Sequence, residues 1–556
     1  MRMGTLQRRV EHAGRLVANA LARDVRARRT HRRDAALCRE SDLPPCRFTA
    51  DQRLGARELP ARSVPLQPLS AYARSVAASI SAALTARSVG HAFLPDENGW
   101  STRVQLDAAS WTRAIAAVLD AVPGSLVGCG GQGTGASSVD YFDHLPKGGV
   151  IEEADSAFIL VPAAVRRGGV VVKRFGFDAA VRLDRWVPAE GSSRLVATQW
   201  NASTAILDAS AFRSTPDVGD AASVTGARQA ATSAHLMEIT FPIDAVFTWV
   251  DGTDPAWLSR KRAALEAAAG ERMPEAAADD LRFVGHDELR HSLRSLEQYA
   301  PWVRHVYVVT DRQRPEWLRE DSDWVSIVDH RDIAPEGTVL PTFNSQAIEA
   351  NLHRIEGLSE HFLYFNDDMF LSSPVSPDLF FQANGLSSVY LSRAHVAPGP
   401  PIEGEPAPDA AGKNARALIE KVSGRRLSRK LFHAPYALQR SVSYEIEQRW
   451  PDVIARTRDS QFRRLHDVTL AGGLHLNYAF AVGRAMTRGI RYRYVGIGEL
   501  TAEAELERLM RDRDSLQTFC LNDAVQEIPP EVADRQVRAF LERRFPDAGS
   551  FERIAE

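Results

Sequence analysis

The chain has 556 residues, 44% hydrophobic and 25% charged, an ordinary globular composition and more than one hydrophobic core usually organises. Its formal net charge of −3 excludes a general nucleic-acid binder, whose footprint is strongly basic. Cys38, Cys46, Cys129 and Cys520 form no CxxC pair, which excludes a zinc-ribbon spacing and a disulfide framework and fits a reducing compartment.

The charge is unevenly spread, with fourteen Arg against seven acids in residues 1–60. Leu6, Val10, Leu16, Val17, Leu21 and Val25 recur at helical spacing, with Arg8, Arg9, Arg15, Arg23 and Arg26 between them. Such a basic amphipathic helix usually packs on its own protein or is a solvated tail, and peripheral membrane contact is the alternative. Neither an apolar leader segment nor an apolar run of about eighteen residues is present, so secretion by the general route and membrane spanning are not expected. Pro44, Pro45, Pro60 and Pro65 make residues 40–66 read as a linker, so 1–66 is a basic extension and linker.

Residues 67–235 read as an accessory α+β domain, with helices near 70–87 and 108–121 and strand-like runs at 157–162, 169–174, 193–199 and 204–207. Its GCGGQGTG run, residues 128–135, lacks the GK[ST] ending of a phosphate loop and reads as a flexible loop.

From residue 236 to 556 buried-strand runs alternate with amphipathic helices, the pattern of a largely parallel sheet flanked by helices. Three such runs, IDAVFTWVDGTD, HVYVVTD and HFLYFNDD, end in carboxylates, and acids at the carboxyl ends of parallel strands converge on the ligand crevice of α/β proteins. Asp251 and Asp254 would project there, with Gly252 allowing close backbone approach to a ligand, although an Asx turn explains the same residues. Arg290 and Arg294 share a helix face and could clamp a diphosphate, or ion-pair on a solvated face. Thr342, Asn344 and Ser345 precede a helical pattern; one caps it, leaving the others for an anion.

Asn366-Asp367-Asp368 interrupts an apolar run, and two adjacent carboxylates there are costly unless they meet a cation or donors. Oxygen ligands suit Mg²⁺ or Mn²⁺, so Asp367 and Asp368 are the candidate metal ligands in a metal-assisted enzyme acting on phosphates. His433, Arg463 and the Asn522-Asp523 pair persuade little by spacing alone. Residues 396–412, with five prolines and three glycines, read as a loop or lid, and the part beyond 412 as mainly helical.

In this order, IDAVFTWVDGTDP, DELRHSLRSLEQYAPWVRHVYVVTD through LPTFNSQAIE to FLYFNDDMFL, FHAPYAL with QFR, and CLND resemble the Stealth family of sugar-phosphate transferases, over about residues 240–525. The resemblance implies a Rossmann-like or GT-A-like nucleotide-binding sheet. It also implies transfer of hexose-1-phosphate, such as GlcNAc-1-phosphate, from a UDP-sugar to a sugar hydroxyl of a polysaccharide, releasing UMP. It points to His433 and Arg463 as the reactive pair, with Asp251, Arg290, Asn344, Asp367, Asp368, Asn522 and Asp523 lining the site. Arg312 stands where a glycine is common, and His291 where a tyrosine is. The partners implied are a nucleotide-sugar donor and a glycan acceptor, and the place implied is the cytoplasm or the inner face of the plasma membrane. The rival readings are a conventional metal-dependent glycosyltransferase releasing UDP and a catalytically silent carbohydrate-binding protein.

Overall fold

The computed structural model describes residues 32–39, 41–48, 57–95, 102–129, 140–146, 151–201, 204–212, 234–268, 283–513, 515–523 and 525–554. The chain forms two compact units, Met1–Ser233 and Ala234–Ala555. The basic helical pattern at residues 6–26 and most of the glycine-rich run at 128–135 lie outside the described residues. No helix among those described is long and apolar enough to cross a membrane.

In the first unit, the helices Leu69–Ala86 and Trp111–Ala121 bury Val76, Ile80, Trp111 and Ile115 with Val104, Leu106, Ile159 and Leu183. The sheet is mixed: Val181–Pro188 pairs in parallel with Thr102–Asp107 and antiparallel with Ser156–Leu160. The linker reading of 40–66 is corrected in its described part. Pro45–Arg47 pairs antiparallel with Glu58–Pro60, and Cys46, Phe48, Leu59 and Ala61 are buried. The prolines were misleading because they stand at strand ends, where a ladder tolerates a missing N–H.

The second unit is built on a five-stranded sheet. Its strands are β1 (Ile243–Thr248), β2 (Val306–Thr310), β3 (Val325–Asp329), β4 (His361–Asn366) and β6 (Tyr436–Gln439), in the order β3-β2-β1-β4-β6. The first four are parallel and β6 runs antiparallel to β4. The apolar runs seen in the sequence become β1, β2 and β4 because a parallel strand covered on both faces must be apolar on both. The order reverses between β1 and β4: the chain leaves β1 toward β2 and β3, then returns to the other side. The loops that leave those two strands therefore diverge and open a crevice. At the opposite end, buried Asp244 accepts two hydrogen bonds from Arg304 (2.8 and 2.6 Å) and two from Ser359, which fastens the start of β1 to the entries of β2 and β4.

A second sheet joins β5 (Met369–Leu371), β7 (Tyr492–Gly496) and β8 (Thr518–Asn522) in the order β5-β8-β7, with β5 and β8 antiparallel. Beyond 412 helices outweigh strands, in line with the sequence pattern, but the short strands β6, β7 and β8 also lie there; alternating Tyr and Arg in β7 carry too little apolar signal to stand out. Residues 396–406 are irregular, but Ala407–Gly412 open a helix, α4 (Ala407–Ser423), with Pro406 at its N-cap. Arg312 takes a left-handed φ of 57°, the conformation for which glycine is favoured. His291 is buried in α2 (Glu288–Tyr299), where burial and then Arg294 push its ring down to about 4, so it is a neutral core residue.

The C-terminal tail closes on α2 through Glu552, whose side chain is fully buried. Arg290 donates to it at 2.7 Å and Arg294 at 2.5 and 2.7 Å. Replacing Glu552 by alanine removes the counter-charge that two neighbouring guanidiniums share, leaving Arg290 with Asp287 at 3.6 Å and Arg294 with the Phe545 carbonyl. We expect a loss of about 2–4 kcal/mol in urea unfolding, the lower end because Arg290 keeps partial contact with water. A loss under about 0.5 kcal/mol would contradict this.

Candidate active site

The crevice end of β4 carries a dense polar cluster. Asp367 and Asp368 form a two-residue turn between β4 and β5, so neither can leave the sheet end. Because β6 runs antiparallel to β4, with Tyr364 opposite Tyr436, the segment entering β6 arrives at that same end and brings His433. His433 Nε2 lies 3.3 Å from Asp368 Oδ1 and 3.5 Å from the Asn366 amide, and its Nδ1 is 3.3 Å from the Tyr436 hydroxyl. From β8, the Cys520 thiol and the Asn522 amide both donate to Asp368 Oδ2 at 3.3 Å.

Arg463 reaches the cluster from a separate loop. Its Nη2 donates to Ser345 Oγ at 2.9 Å, and its Nε is buried with no hydrogen-bond partner among the described residues. Asn344 sets this loop. Its carbonyl caps the short helix α3 (Ser345–Glu349), while its amide donates to Ser460 O and, at 2.8 Å, to Asp467 Oδ2. Glu349, at the end of α3, accepts from Thr469 Oγ1 at 2.7 Å and from the Ala471 N–H at 3.1 Å. It lies within electrostatic reach of both Arg463 and His433.

Their partners divide the two neighbouring aspartates. Desolvation, then repulsion from Glu288 and Asp368, holds the Asp367 carboxyl well above the usual range. Desolvation acts on Asp368 too, but the His433 charge and three hydrogen bonds outweigh it and hold that group low. The His433 ring is opposed by burial and yet raised by Asp368. Glu288 and Glu349 are both raised, chiefly by burial. Neighbouring carboxyls driven in opposite directions mark a site with separate acid and base tasks.

Several sequence expectations are corrected here. Asp251 accepts from Thr253 N and Oγ1 in an Asx turn (2.9 and 2.6 Å), the alternative open to it in the sequence, and makes no hydrogen bond to the His433 cluster among the described residues. Asp254 caps α1 (Pro255–Ala267) and accepts from Gln313. Gly252 is required because a Cβ there would stand 2.0 Å from the Phe283 carbonyl, so the close approach is made by this chain's own backbone. Arg290 is engaged by Glu552, and the buried Asn344 amide is used up within the protein; α3, five residues long, has no extended dipole to offer an anion. Spacing could not separate these cases, since an arginine pair looks the same whether it meets a phosphate or Glu552. Asn366, Asp367, Asp368, His433 and Asn522 do converge, Arg463 adjoins them, and Asp523 lies 4.0 Å from His286.

Sequence reasoning missed Glu288, Glu349, Tyr436 and Cys520. A signal existed for Glu288. It stands four and seven residues before Ser292 and Ser295, a polar stripe that meets β5 through the Met369 carbonyl and the Leu371 N–H.

The cluster fits a hard divalent cation. Half-buried Asp367 and buried Glu288 are acids that repel one another, and Asp368 Oδ1, cut off from water, faces His433 Nε2 at 3.3 Å. Asp368, His433 and Cys520 also present ligand-type atoms within 4.8 Å of one another. Burial, then Asp368, pushes the Cys520 thiol well up, so it is a protonated donor rather than a thiolate ligand for a soft metal.

Four conserved regions of Stealth proteins match within the second unit: the first at residues 241–268, the second at 282–389, the third at 432–480 and the fourth at 508–556. The chain is 41% identical over 410 residues to an exopolysaccharide phosphotransferase of Streptomyces coelicolor, covering 70% of this chain and 68% of that one. A second such protein of that organism is 44% identical over 57% of this chain and 58% of its own length. One from Mycobacterium leprae is 36% identical over 58% and 59%. A solved galactosyltransferase in complex with donor and acceptor sugar analogues overlaps 56% of this chain and 98% of its own at 12% identity, with a TM-score of 0.28, too low to carry weight.

His286 flanks the cluster, 2.8 Å from Asp534 and 4.0 Å from Asp523. Burial lowers its ring, but Asp523, Glu288 and Asp534 together raise it to about 9. A folded value above the unfolded 6.5 means that the ion pairs stabilise fully below pH 6.5 and are lost as pH rises through about 9. The stability gap between the native protein and His286→Gln should therefore shrink from pH 6 to pH 9.5, by on the order of 3 kcal/mol at most. A gap in urea unfolding that does not change with pH would refute the assignment.

Proposed function

The chain belongs to the Stealth family of exopolysaccharide phosphotransferases, and we propose that it transfers hexose-1-phosphate, such as GlcNAc-1-phosphate, from a UDP-sugar to a hydroxyl of a glycan, releasing UMP. The observation that carries this reading is the approach of His433 and Arg463 to Asp368 at the β4 end, from three segments spread over about a hundred residues of chain.

Transfer at phosphorus needs a positioned hydroxyl, neutralised phosphate oxygens and a stabilised leaving phosphate. His433 Nε2 takes the proton of the acceptor hydroxyl, and the Asp368 carboxylate beside it stabilises the imidazolium that forms. The acceptor oxygen bonds to the sugar-bearing phosphorus, and the bond from that phosphorus to the bridging oxygen of the diphosphate breaks, so the sugar keeps its anomeric oxygen. Arg463, whose Nε is unengaged, faces charge developing on the phosphoryl oxygens, held in place by Ser345 and the Asn344–Asp467 link. Asp367 and Asp368 would hold Mg²⁺ or Mn²⁺, whose charge, when bound, offsets that of the diphosphate. Tyr436, at His433 Nδ1, keeps the ring oriented.

Incubated with UDP-GlcNAc, Mg²⁺ and a polysaccharide acceptor, the enzyme should yield UMP and a phosphodiester visible by phosphorus NMR; UDP instead would support the glycosyltransferase alternative. Replacing His433 by glutamine should lower kcat by about 10²–10⁴-fold while the KM for donor moves less than about threefold. Equal losses in both parameters would make His433 a structural residue.

A further inference from the structure

β7 is an edge strand whose residues alternate between two faces. Arg493 turns to one, pairing with Glu505 and Asp512 at 3.5 and 3.1 Å. Tyr492 and Tyr494 turn to the other, the face of the reactive cluster: the Tyr492 ring meets Phe432, next to His433, at 4.9 Å between centroids. Tyr494 lies at the outer end of this face and is 47% exposed. Its hydroxyl donates to Asn522 Oδ1 at 2.7 Å, and the Asn522 amide donates to Asp368. The ring is thus fixed by its hydroxyl while much of its surface stays open to water.

Two further apolar side chains stand open on the loops at this end, Leu500 at 76% and Val525 at 45% exposure. Their loops are tied together, since Gly498 O accepts from Glu527 N at 2.7 Å and Leu500 N donates to Glu527 Oε2. Apolar side chains held open beside a polar reactive cluster mark a surface that something covers. A pyranose ring suits it: its apolar C–H face lies on an aromatic ring, while its hydroxyls meet polar groups at the rim.

We propose that Tyr494, with Leu500 and Val525, forms the acceptor subsite, seating a sugar ring of the glycan whose hydroxyl is presented to His433. This rests on the reading of His433 as the base that receives the acceptor. No other part of the cluster's rim combines an open aromatic face with a hydrogen-bonded path to Asp368 among the described residues.

The test is calorimetric titration of the full-length protein with chitotetraose, maltotetraose and mannotetraose, and separately with UDP-GlcNAc. At least one tetrasaccharide should bind the native protein. Tyr494→Ala and Leu500→Ser should weaken it about tenfold, and Tyr494→Phe, which keeps the ring, by less than about threefold; donor affinity should change less than about twofold. Because Leu500 is so exposed, its substitution separates contact from misfolding: if Tyr494→Ala loses donor affinity too, Leu500→Ser decides. No binding of any tetrasaccharide by the native protein, or equal binding by the Tyr494→Ala and Leu500→Ser variants, overturns the subsite. Failure of the phosphotransfer reading shows separately, as UDP in place of UMP from the native enzyme.

Discussion

Burial of like charges at one end of a parallel sheet is the constraint from which the rest of the second unit follows. Asp367, Asp368, Glu288 and Glu349 lie where water has little access, and carboxylates there are unstable unless something answers them. Different neighbours supply the answer. Asp368 has His433, Cys520 and Asn522; Glu349 has Thr469 and two backbone amides; Glu288 has the His286 N–H and ring; Asp367 has backbone amides alone. These partners hold the geometry of the pocket.

The topology explains why the acids meet there. Reversal of strand order between β1 and β4 opens the crevice, and the antiparallel β6 delivers His433 to it from a remote part of the chain. The second sheet adds Cys520 and Asn522 by pairing β8 with β5, immediately after the aspartate turn. Three of the four conserved blocks then have a mechanical reason to exist. One supplies the acids, one the imidazole and the guanidinium, and one the donors that keep Asp368 ionised.

Much of this was legible in the residues. Continuous apolar runs identified β1, β2 and β4, and the polar break in FNDDMF identified the one place where a strand could not simply be buried. What could not be read was the partner of each polar group. Arg290 and Arg294 have the right spacing for a diphosphate, yet Glu552, some 260 residues later, takes them. Asp254 and Asn344 look like ligand-facing groups and turn out to cap helices, because capping and binding draw on the same side chains. Glu288 and Glu349 were overlooked because an acid within a helical pattern reads as solvent-facing until the opposing strand is placed.

The pairing of Met369 with Cys520 closes a loop of about 150 residues, against about 120 for the pairing of Ile243 with His361 in the five-stranded sheet. A chain that has closed the larger sheet but not yet formed this contact would have native-like secondary structure and an aspartate turn without its donors. Enzymatic turnover is therefore a stricter gauge of the finished molecule than any spectroscopic measure of its helices and strands.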